Sequence, residues 1–95
     1  QVELRPHSQI RCAYYLHVSV KDEPGVLARI ASTLAARRIS VAAVQQREQA
    51  DASAPVPLVF VTHQAQEADI QAAIAEIDGH PATLDRTRLI RIETV

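Results

Sequence analysis

Cysteine, glycine and aromatic residues are scarce in this chain, and each shortage removes a class of function. One cysteine, Cys12, among 95 residues excludes an internal disulfide framework and fits a reducing, cytoplasmic compartment. Two glycines leave no Gly-rich phosphate loop. They also leave no nucleophile elbow around Ser8, Ser19, Ser32, Ser40 or Ser53, and no carboxylate pair stands out, so no catalytic residue is expected. The aromatics are Tyr14, Tyr15 and Phe60, and the net charge is −1. Neither a base-stacking face nor a basic patch can be built from them, which argues against nucleic acid. The same charge gives no attraction to an anionic membrane. No apolar run approaches the ~20 residues that span a bilayer, and no signal peptide is visible. His7, His17, His63 and His80 share no metal-ligand spacing, so no metal is expected. The chain begins at Gln1 and contains no methionine, so it is expected to be a piece of a longer protein.

What remains is ordinary for one globular domain, with 47% hydrophobic and 22% charged residues. Residues 1–12 are polar, contain Pro6 and show no period, and are expected to form a lead-in arm from a preceding domain, with the folded unit over 13–95. Tyr14, Leu16, Val18 and Val20 alternate with Tyr15, His17, Ser19 and Lys21, the period of a half-buried strand. Leu27, Ile30, Ala31 and Leu34 then recur at helical spacing, with Arg37 and Arg38 in the expected last turn. No glycine closes this helix, so a side-chain-bearing residue must take any left-handed stop. Residues 39–49 predict a second strand and 56–63 a third, joined by a loop too short for a crossover helix, hence antiparallel. Ile70, Ala73, Ile74 and Ile77 predict a second helix over 66–77, ended by Gly79 and Pro81. Leu84, Leu89, Ile90 and Ile92 predict the last strand. The order β-α-β-β-α-β, with right-handed crossovers, gives an α+β, ferredoxin-like fold: a four-stranded antiparallel sheet with both helices on one face. Metal-chaperone domains of this topology place paired cysteines before the first helix, where this chain has Lys21-Asp22-Glu23.

The first strand runs into the helix through Asp22-Glu23-Pro24-Gly25-Val26-Leu27. Proline suits a first helical turn because its missing N–H would be unpaired there. Gly25 lets the backbone approach another group closely. Asp22 is placed to cap the helix, and the remaining donors near Gly25, Val26 and Leu27 face outward at the positive end of the dipole. An acid beside such an anion pocket offers places for an ammonium and a carboxylate, the two groups of a free α-amino acid. From spacing alone the same segment reads more readily as a plain capped turn.

The stretch Tyr14–Ala28, with Ile39-Ser40-Val41 and Val59-Phe60-Val61-Thr62-His63, resembles an ACT domain, an amino-acid-sensing module appended to metabolic enzymes. The Tyr-Tyr-Leu start, Ile-Ser-Val-x-x-Val-x-Gln over 39–46, Val-Thr-His at 61–63 and Ile90-Arg91-Ile92-Glu93 are similar to the C-terminal tail of bacterial homoserine dehydrogenase. The resemblance covers about residues 14–93 and departs at Arg38, where the family commonly has glycine. It implies an allosteric domain that pairs side by side into a homodimer, with an effector between the first-helix turn and the partner's second strand. Carried over, Asp22 would hold the effector's ammonium, and the backbone at Pro24, Gly25, Val26 and Leu27 would hold its carboxylate. Ser40 would be the polar contact from the partner chain, with Gln45 and Gln46 as further candidates. The implied effector is threonine, acting as a feedback inhibitor in threonine and methionine biosynthesis. The implied parent interconverts L-aspartate 4-semialdehyde and L-homoserine with NAD(P), with no cofactor held in these residues. An ACT domain of another enzyme, a stand-alone regulator and a dimerising module without ligand stay open as alternatives.

Overall fold

The computed structural model describes residues 11–92, arranged as β1 (Arg11–Val20), α1 (Val26–Ala36), β2 (Val41–Gln46), β3 (Val56–Thr62), β4 (Ala65–Gln66), α2 (Glu67–Asp78) and β5 (Arg88–Ile92). Of the expected lead-in arm, residues 1–10 lie outside the described residues, while Arg11 and Cys12 are paired in β1 with Gln66 and Ala65. All strand pairs are antiparallel. β1 is central, with β3 on one side and β5 on the other, and β2 forms the edge beyond β3. The expected ferredoxin-like architecture is present. The short β4 continues β3 along β1 after an irregularity: Tyr15 pairs with Val61, but Cys12 pairs with Ala65, a register shifted by one. There the buried Thr62 hydroxyl accepts the Tyr14 N–H at 3.1 Å, replacing a ladder bond that the shift removes.

The period-two reading of β1 holds throughout its core face. Tyr14, Leu16, Val18 and Val20 are buried against Leu58 and Phe60 of β3 and against Val26, Ile30 and Leu34 of α1 and Ile70, Ala73 and Ile77 of α2. Both helices therefore cover one sheet face. The buried stripe of α1 keeps the expected Ile30 and Leu34 but differs at its start. Val26, not Leu27, leads it, and Leu27 is 42% exposed at the helix start. The helix ends at Ala36, Arg37 follows as its cap, and Arg38 takes the left-handed stop at φ 63°. The Ile39 N–H returns to the Leu34 carbonyl at 3.0 Å, closing the turn.

Two strands are shorter than the sequence suggests. β2 stops at Gln46, though the Arg47 N–H still reaches the Pro57 carbonyl at 2.9 Å. The last strand is interrupted. Leu84 bonds to Ser19, with its N–H on the Ser19 carbonyl at 2.8 Å, but regular pairing restarts only at Arg88. Between them Asp78 captures both the N–H (3.0 Å) and the hydroxyl (2.6 Å) of Thr87, which draws this segment toward the end of α2. Leu84, expected among the strand's apolar members, lies before this interruption and is 47% exposed. No helix among the described residues is long and apolar enough to cross a membrane.

Candidate ligand-binding site

The turn between β1 and α1 is anchored on its β1 side and open on its helix side. The Lys21 N–H donates to the Ala82 carbonyl at 2.9 Å, and Val20 bridges Thr83, which fixes the end of β1. The Glu23 N–H then folds back to the Lys21 carbonyl at 2.9 Å, a γ-turn that reverses the chain. Gly25 follows as the N-cap at φ 84°, ψ −7°. A Cβ there would meet nothing within 4 Å, so glycine is required by the dihedral and not by crowding. The helical ladder starts from this residue, with the Arg29 N–H on the Gly25 carbonyl at 3.0 Å.

The expected Asp22 cap is not formed. No side-chain hydrogen bond caps α1, and its first turn contains no acidic residue. The reason is position: a capping side chain must sit immediately before the first helical residue, and Gly25 occupies that place. Asp22 is three residues earlier and exposed. The Val26 N–H makes only a long contact to the Glu23 carbonyl at 3.5 Å, and those of Gly25, Leu27 and Ala28 have no partner among the described residues. Donors at the positive end of α1 are thus presented to whatever lies outside.

Beside these donors lies a cleft of about 50 Å³, lined by Lys21, Asp22, Glu23, Val26, Leu27 and Gln46 over a wall of Val20, Val56 and Leu58. The structure brings together Asp22, Val26, Leu27 and Gln46, with Pro24 and Gly25 forming the adjoining backbone. It separates the other two candidates. Gln45 pairs with Val59, which pairs with His17, and these face the opposite side of the sheet, lining a broad open groove with Tyr15 and Arg47. Ser40 precedes β2 at its far end from Gln46, about 20 Å away along an extended strand, and its carbonyl accepts the His63 N–H at 2.8 Å. Within one chain Ser40 is no part of the cleft. Sequence reading missed the wall residues Val20, Val56 and Leu58, whose alternation marks them only as core.

A second polar cluster lies at the start of α2. The carboxylate of buried Glu67 accepts the Tyr14 hydroxyl at 3.3 Å, Arg91 at 3.0 Å and Gln71 at 3.0 Å. Burial, then the Glu67 charge, raises the Tyr14 hydroxyl above its ordinary value, and the hydrogen bond to Glu67 raises Arg91. No group of three histidine, cysteine or acidic side chains placed to hold a metal occurs among the described residues.

The ACT domain family profile matches residues 14–81, which includes the turn, both helices and the edge strand. The chain belongs to the ACT domain family. It is 35% identical over 88 residues to homoserine dehydrogenase of Pseudomonas aeruginosa, covering 93% of this chain and 20% of that protein. It is 36% identical over 90 residues to the homoserine dehydrogenase of Neisseria gonorrhoeae, covering 95% and 20%. A crystal structure of a homoserine dehydrogenase from Thiobacillus denitrificans superposes with TM-score 0.83 at 36% identity, over 94% of this chain and 19% of that one. This ACT domain thus spans about a fifth of the length of the relatives it matches, which are larger enzyme chains. The C-terminal domain of the MgtC protein from Mycobacterium tuberculosis shares the fold alone, with TM-score 0.69 at 14% identity over 95% of both chains.

Proposed function

We propose that this ACT domain is the amino-acid-binding regulatory domain of a homoserine dehydrogenase, and that its effector is threonine. The observation that carries the reading is the start of α1: outward N–H donors with no acid of their own, beside Asp22 and an apolar wall. An α-amino acid matches that arrangement, with its carboxylate on the backbone near Gly25, Val26 and Leu27 and its ammonium on Asp22. The similarity to homoserine dehydrogenases over nearly the whole chain supports that parent. The parent reaction would be the NAD(P)-dependent interconversion of L-aspartate 4-semialdehyde and L-homoserine in the cytoplasm. Threonine would act there as a feedback inhibitor in threonine and methionine biosynthesis. The nucleotide would be held outside these residues.

A cleft of about 50 Å³ encloses only part of an amino acid, so a second wall is needed. The edge strand β2 can supply it. It is exposed along most of its length, including Val44 at 43%, and carries no charged residue, the kind of edge that accepts another strand. Two-fold antiparallel pairing of β2 with a second copy sets the start of one strand beside the end of the other. The partner's Ser40 then comes alongside Gln46 and the turn, although the two ends are far apart within one chain. In this assembly Asp22, Val26, Leu27 and Gln46 come from one protomer and Ser40 from its partner, while Gln45 stays on the opposite sheet face.

Calorimetric titration with each proteinogenic L-amino acid, at protein concentrations that keep a dimer intact, tests the proposal. Threonine should bind to the wild type, and affinity should fall at least about tenfold in Asp22→Ala with the fold unchanged. Binding of a different amino acid would keep the site and overturn the effector. Dimers that bind no amino acid would leave a dimerising module, a reading favoured only by the narrowness of the cleft.

A further inference from the structure

Between α1, α2 and the 80–83 segment lies a second cavity, of about 130 Å³, lined by Val26, Arg29, Ile30, Thr33, Glu76, Ile77, His80 and Thr83. Its floor is apolar, formed by the buried Val26, Ile30 and Ile77. The polar groups around that floor have unequal commitments. The Thr33 hydroxyl spends its hydrogen on the Arg29 carbonyl at 3.0 Å, and Thr83 spends its own on the Ile77 carbonyl at 2.6 Å. Glu76 is neutralised by Arg37. The Nδ1 of His80 accepts the Ala82 N–H at 3.1 Å, which assigns the ring proton to Nε2 and makes that nitrogen a donor. Arg29 is the cation of the cavity, with no ion-pair partner among the described residues. Beside the Arg37-paired carboxylate of Glu76, the rim groups with hydrogens left to give are Arg29 and His80.

The Arg29 and His80 donors over an apolar floor suit a ligand with an acceptor head and a hydrocarbon body. A carboxylate is such a head, and arginine binds it with a matched pair of N–H groups. Inorganic phosphate would satisfy the rim and leave the floor uncovered. An apolar cavity of ~150 Å³ holds a benzene-sized molecule, so this one takes a body of about four or five carbons. The geometry points to a binding site for a short aliphatic carboxylate, with Arg29 and His80 holding the head and Val26, Ile30 and Ile77 the chain. Val26 also lines the cleft at the turn, and the Lys21 N–H is bonded to the Ala82 carbonyl in the segment carrying His80. Occupancy of the cavity would thus be felt on both sides of the turn. The binding inference itself stands apart from the proposal for the turn.

Isovalerate and valine, which differ by the ammonium group, are the probes. Each is titrated into the ¹⁵N-labelled protein while backbone amide shifts are followed. Saturable isovalerate shifts are expected at Arg29, Thr33, Ile77, His80 and Thr83, weakened about tenfold by Arg29→Ala and partly restored by Arg29→Lys. His80→Gln, which keeps a side-chain donor, should weaken binding less. Valine binding as well as isovalerate would place its ammonium on Glu76 and make the ligand an amino acid. Much weaker valine binding would make it a simple carboxylate. Absence of saturable shifts at these amides, or isovalerate affinity unchanged by Arg29→Ala, overturns the inference. Threonine shifts confined to 22–28 and lost in Asp22→Ala report on the turn alone, so failure at either site is read separately.

Discussion

The two helices of this ACT domain begin in opposite ways. The first turn of α2 contains Glu67 and Asp69, whereas that of α1 contains no acid. Glu67 is buried and bonded by Tyr14, Arg91 and Gln71; no side chain caps α2 either, but the charges of Glu67 and Asp69 complement its positive end from within the chain. At α1 the cap is a glycine in the left-handed region, the nearest acid is the exposed Asp22, and the free N–H groups point outward. Both termini carry the same kind of partial charge. A helix start that is neutralised internally serves stability, and one without its own anion is available to a ligand.

Removing the internal anion should produce the largest effect. Glu67→Ala removes the acceptor of the Tyr14 hydroxyl and one partner of Arg91, and chemical denaturation should show a loss of about 2–3 kcal/mol. The discount from a fully buried pair reflects the 34% exposure of the Arg91 side chain. The same cluster makes an alkaline prediction. The Tyr14 value is raised in the folded state, so its contribution is fully present below the unfolded value of 10.0 and is lost as pH rises through the higher folded value. Tyr14→Phe should flatten the fall of stability above pH 10.0, measured by denaturant midpoints across the alkaline range.

At α1 the expected effects on stability are smaller and those on binding larger. Gly25→Ala forces a Cβ into φ 84° and should cost about 1 kcal/mol by thermal melting, with amino-acid binding weakened as the donors shift. At the other end of the helix Arg38→Gly relieves the strain at φ 63° and should gain about 0.5 kcal/mol, net of the extra freedom glycine has when unfolded. Asp22→Ala should change stability by less than about 0.5 kcal/mol, because this carboxylate caps nothing in the folded chain. A loss above 1 kcal/mol on denaturation would mean that Asp22 has a structural role, and the contrast between the two helix starts would fail.

What the sequence made legible follows the range of the contacts involved. The alternation from Tyr14 to Val20 could be read because one strand face meets one core. That a residue other than glycine takes the left-handed stop could be read, but not its place: Arg38, expected in the last helical turn, lies beyond the helix end. The α1 stripe was displaced toward Leu27 because spacing does not say where a helix start passes beyond the sheet. The exposure of Leu84 has no local signal, because the strand is interrupted where Asp78 holds Thr87, a tertiary bond. The candidate site was legible as a turn, but its division was not. Gln45 and Gln46 are adjacent in sequence and face opposite sides of the sheet, and only the register of β2 on β3 tells them apart. The buried role of Glu67 was likewise hidden, since Tyr14 lies 53 residues away in the chain.

In the proposed function α1, unlike α2, takes a carboxylate from outside the chain. The most direct test is titration of the ¹⁵N-labelled protein with L-threonine while the amides at the two helix starts are compared. Saturable shifts are expected at Gly25, Leu27 and Ala28, absent in Asp22→Ala, with Glu67, Ala68 and Asp69 unmoved. Equal shifts at both helix starts, or none at Gly25, Leu27 and Ala28 up to saturating threonine, would contradict the proposal.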